Sequence, residues 1–89
     1  MSDTQQDIVD ECNRIRDLLL DKNRKYGDSA INPVRIFSSS NPMEQINVRI
    51  DDKLSRIISK QLDDEEDVEL DLVGYLILKM ICRKRGLEK

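Results

Sequence analysis

The stretch NVRIDDKLSRIISKQLDDEEDVELDLVGYLILKMI, residues 47–81, decides the fold. Its first part repeats apolar residues at helical spacing, its last part is apolar on nearly every side, and a run of Asp and Glu separates the two. At about 100° per residue, Lys53 in the first part and Asp71 in the last both fall where core residues point. A charge placed in a core must be paired or do chemistry. With a short turn near Leu62, the two segments form an antiparallel hairpin in which facing residues have numbers summing to about 124. That register sets Lys60 against Asp64, Arg56 or Ile57 against Asp67, Lys53 against Asp71, and Arg49 against Tyr75. A basic ridge of Arg49, Lys53, Arg56 and Lys60 thus faces an acidic ridge of Asp64, Asp67 and Asp71.

Outward from this hairpin, the helix boundaries follow from capping signals. Helix 2 spans about 42–61, with Asn41 as N-cap, Pro42 in the first turn and Met43, Ile46, Ile50, Leu54 and Ile57 on one face. Helix 3 spans about 64–85, opening on the acidic run 63–67 and closing on Arg83, Lys84, Arg85 and Gly86, the order that suits a helix dipole. Helix 1 spans about 4–23, where Thr4 and Asp7 have capping-box spacing and Ile8, Cys12, Ile15 and Leu19 form a stripe. Between helices 1 and 2 lies a long loop, 24–41, with at most a helical turn near Val34 to Ser38. The expectation is one all-α domain over residues 1–89 with three main helices. Helix 3 carries more apolar surface than two neighbours in a small chain can cover, which predicts assembly into an oligomeric helical bundle, a dimer being the simplest.

Composition narrows the function classes. The chain has 89 residues, 38% apolar and 37% charged, so its single core is marginal unless another chain shares it. A formal net charge of -3 argues against nonspecific DNA binding, which needs a basic excess. The segment MSDTQQDIVDE has neither the basic nor the apolar region of a signal peptide, and Asp71, Gly74 and Lys79 interrupt the longest apolar run. A cytoplasmic protein without membrane association is expected. Two cysteines and no histidine make zinc improbable, and both Cys12 and Cys82 read as core thiols.

Two constellations carry chemistry. The charged seam is either a salt-bridge ladder that fixes hairpin register, or a site where Asp67 and Asp71 hold a divalent cation and the basic ridge holds phosphates. The segment KNRKYGDS places Lys22, Arg24 and Lys25 beside Tyr26, which either stacks on a base or packs over a helix end. No glycine-rich phosphate loop, Cys/His nucleophile pair or serine triad is present in the sequence.

The strings KYGD (25–28), DKLSR (52–56) and DLVGY (71–75) together resemble small bacteriophage proteins related to the MazG-like all-α nucleotide pyrophosphatases, a likeness that covers about residues 20 to 82. The resemblance implies a helical bundle assembled as a dimer or larger oligomer, in the host cytoplasm if phage-encoded, with a nucleotide or nucleotide derivative as ligand. It further implies Mg²⁺ held by carboxylates of two neighbouring helices and water attacking a nucleoside triphosphate. On that pattern Asp67 and Asp71 are metal ligands with Asp51 or Asp52 as partner, from helix 2 or a neighbouring chain, Arg49, Lys53 and Arg56 contact phosphates, and Lys25 and Tyr26 contact base or sugar. The carboxylate set departs from the family's: Val68 stands where a second Glu is expected, and Ser55 and Arg56 where helix 2 would carry acids. A lysine facing Asp71 also competes with a cation for that carboxylate. Three readings therefore stand: a nucleoside triphosphate pyrophosphatase, a nucleotide-sequestering module without turnover, and an interaction protein whose charges serve only the fold.

Overall fold

The computed structural model describes residues 2–33, 35–60 and 67–88, and within them the chain is all-helical. Three helices follow in order: α1 (Asp3–Tyr26), α2 (Pro42–Ser59) and α3 (Val68–Arg85). The turn expected near Leu62, Gln61 as the end of helix 2, the acidic residues 63–66, and Val34 lie outside the described residues.

Helix α2 starts where its cap signal predicts, with the Asn41 side chain accepting from the Glu44 amide at 2.8 Å and Pro42 in the first turn. It stops at Ser59, because Lys60 adopts the left-handed conformation (φ 57°) and turns its amide back to the carbonyls of Arg56 and Ile57. Helix α3 starts later than the expected position 64: Asp67 has extended backbone and caps the Leu70 amide from its side chain at 3.0 Å. Its C-terminus ends on Gly86 at φ 72°, as the sequence order indicates.

Helix α1 is longer than expected at both ends. Ser2 is the N-cap, in a capping box with Gln5, instead of Thr4 with Asp7. Past residue 23 the helix continues to Tyr26, so Arg24, Lys25 and Tyr26, assigned by sequence to the loop, are helical. Gly27 at φ 62° then breaks it, a backbone conformation in which a side chain would be strained. Ion pairs from Asp21 to Arg24 and Lys25 outweigh the turn signal of KYGD in this last turn.

The core lies between α2 and α3. Met43, Ile46 and Ile50 from α2 meet Cys82 of α3 and Ile31, which a turn hydrogen-bonded to the Asp28 carbonyl tucks underneath. Tyr75, Leu78, Ile81 and Leu87 close around them. Lys53 turns inward, as its helical position predicts, while Leu54, expected on the apolar stripe, is exposed.

Helix α1 buries no residue fully and meets α3 at one crossing, where Leu19 touches Gly74. A Cβ at residue 74 would lie 3.0 Å from Leu19 Cδ2, so glycine sets the approach distance. From opposite sides of that crossing, Lys22 reaches Asp71, and Arg14, held above its ordinary pKa mainly by Glu11, also feels Asp67. Every described residue of α1 before Ile15 is exposed, so its outer half lies off the hairpin. Cys12 sits on that outer half and is exposed, against the expectation of a core thiol, because no described element covers the Ile8 and Cys12 face there. No described helix is long and apolar enough to cross a membrane.

Candidate functional site

The hairpin register carries the site. Lys53 Nζ lies 3.4 Å from Asp71 Oδ2, with side chains 11% and 21% exposed, and the Arg49 guanidinium meets Tyr75 at both the hydroxyl (3.5 Å) and the ring face (5.9 Å to the centroid). These are two of the four contacts the sequence register predicts. The rung from Lys60 to Asp64 falls outside the described residues. Arg56 forms an ion pair with Asp52 of its own helix at 3.2 Å, and Asp67 spends its carboxylate on the α3 cap.

One contact was not legible in the sequence. Lys22 Nζ of α1 approaches the second oxygen of Asp71 at 3.2 Å, so one carboxylate bridges two ammonium groups from two different helices. The sequence groups Lys22 with a basic loop; the longer α1 instead gives it a defined azimuth, toward α3. Only the crossing at Leu19 and Gly74 reveals which α3 residue it meets.

Beside this bridge opens a cleft of about 690 Å³. Helix α1 supplies one wall through Ile15, Leu19, Lys22 and Tyr26, and Gly27, Ser29, Ala30 and Pro33 supply the rim. Gln45 and Arg49 of α2, with Asp71, Gly74, Tyr75 and Leu78 of α3, form the rest. The volume lies in the range of small-molecule sites, and the lining combines apolar walls with a few convergent polar groups. Asn23 holds the rim by donating to both the Gly27 carbonyl and the Asp28 carboxylate. Neither Asn23 nor Gln45 carries a signal in the sequence that would single it out.

Of the residues singled out by sequence, the cleft brings together Tyr26, Arg49 and Asp71, with Lys53 behind Asp71. Lys25 pairs with Asp21 and does not line it; Arg56 and Asp52 lie along α2 away from it. The three acids assigned to a cation do not converge: Asp52 holds an arginine, Asp67 caps a helix, and Asp71 holds two lysines. Among the described residues no three Asp, Glu, His or Cys side chains form a group fit for a metal ion. Among its described lining residues the cleft presents the charges of Lys22, Arg49 and Asp71, the arginine laid over the Tyr75 ring.

No protein-family model, no curated protein and no solved structure matches the chain.

Proposed function

We propose that the chain binds a nucleotide or nucleotide derivative in the cleft beside Asp71, without turnover, as part of an oligomeric helical bundle in the cytoplasm. The observation that carries this reading is the meeting of Tyr26, Arg49 and the doubly paired Asp71 around one space of about 690 Å³. The exposed ring of Tyr26 suits stacking on a base, and the Arg49 guanidinium suits two phosphate oxygens at once. Lys22, half exposed, is free to swing from Asp71 to an anionic ligand while Lys53 keeps the carboxylate neutralised. The resemblance of KYGD, DKLSR and DLVGY to MazG-like phage proteins, carried by the sequence alone, points to the same ligand class. Binding without hydrolysis is favoured over the pyrophosphatase reading because each candidate metal ligand already has a cationic or backbone partner.

The test is a panel of canonical and modified nucleoside triphosphates, with and without Mg²⁺, read by thermal shift and by pyrophosphate release. The expected outcome is a melting shift with at least one nucleotide, no release, and loss of the shift in Arg49→Ala. Metal-dependent release that vanishes in Asp71→Asn would restore the hydrolytic reading, and no shift with any nucleotide would end the ligand assignment.

A further inference from the structure

Two apolar faces of the described helices stay uncovered within the chain. One is the outer half of α1, where Ile8 (57% exposed), Val9 and Cys12 face solvent. The other is the outer stripe of α3: Val73, Leu76 and Met80, the last 64% exposed, recur at helical spacing.

Charge tells which face meets which. Residues 2–13 contain Asp3, Asp7, Asp10 and Glu11 and no base, and residues 76–85 contain Lys79, Arg83, Lys84 and Arg85 and no acid. Two copies of the α1 face would set acid against acid, and two copies of the α3 face base against base. An α1 face on an α3 face buries both apolar stripes and opposes unlike charges along their rims. Within one chain the contact does not form, since Ile8, Leu76 and Met80 all remain exposed.

We infer that two copies of this chain assemble by exchanging arms, the outer half of α1 of each lying across the Val73, Leu76 and Met80 stripe of the other. The contact is formed twice about one twofold axis and closes on itself, so it gives a dimer instead of an open chain. It rests on the assembly reading above and is independent of the ligand.

Light scattering on the eluted full-length chain is expected to give the mass of two chains. Two variants then test the pairing: Asp3→Lys with Asp7→Lys and Asp10→Lys, which makes the α1 face basic, and Arg83→Glu with Lys84→Glu and Arg85→Glu, which makes the α3 face acidic. Each alone sets like charges across both contacts, and its self-association should weaken at least about tenfold. Mixed, the two should form a heterodimer, because each arm then meets a face of opposite sign; this gain of association does not arise from misfolding. A wild-type chain that stays monomeric overturns both the assembly and the pairing. Dimers that persist in either variant, or a mixture that stays monomeric, overturn the arm exchange alone.

Discussion

Asp71 accepts from Lys22 and Lys53 at once, so its removal is costlier than removal of either lysine. In Asp71→Asn, two ammonium groups converge without the carboxylate, one of them on a side chain only 11% exposed. Chemical denaturation should show a loss of about 2 kcal/mol or more. Lys53→Met should cost less, since Lys22 still neutralises Asp71 and the new side chain suits the core beside Ile50; equal losses in the two variants would contradict this account. Cys82 behaves as the opposite kind of buried group. Burial pushes its thiol above the ordinary value, with Arg85 pulling weakly the other way. The unfolded chain therefore ionises first: stability is constant below the ordinary thiol range and declines as pH rises through it, until the folded thiol also ionises. Unfolding curves in alkaline buffer should show this slope in wild type and a flatter one in Cys82→Ala.

Among the elements, the hairpin was legible in the sequence and α1 was not, for physical reasons. The 47–81 stretch contains both partners of its own contact, so charge and apolar spacing constrain each other, and Lys53 with Asp71 and Arg49 with Tyr75 meet as the register requires. Helix α1 has its partner far along the chain, and nothing local marks Gly74 as the place where Leu19 seats. Its stripe correctly indicated a helix, yet could not show that only the inner half would find a neighbour. The start of α3 was misplaced because an acidic run suits a first helical turn as well as a cap, and Asp67 takes the cap. The crossing itself can be tested. Gly74→Ala needs Leu19 Cδ2 to give by a few tenths of an ångström, offset by a helix-propensity gain of up to about 1 kcal/mol, so its melting point should stay close to wild type. Gly74→Phe leaves α2 and α3 in place but has no room under α1; it should abolish ligand-induced melting shifts while helical circular dichroism persists.

At the scale of the whole molecule, the described fold is a hairpin of α2 and α3 with α1 packed on α3, and the proposed second copy would cover the apolar faces left exposed on α1 and α3. Cys12 reports on that state. It should react with a thiol reagent quickly in dilute or charge-reversed protein and slowly at concentrations where dimers form, while Cys82 stays silent until the chain unfolds. A Cys12 rate independent of protein concentration would place the outer half of α1 outside the interface. Lys22 and Tyr26 line the cleft from the same helix that exposes Ile8 at its other end. Were the proposed ligand and the proposed arm exchange both to hold, α1 would serve both at once, and whatever factor a ligand applied to the dimer constant, dimerisation would apply to the ligand's.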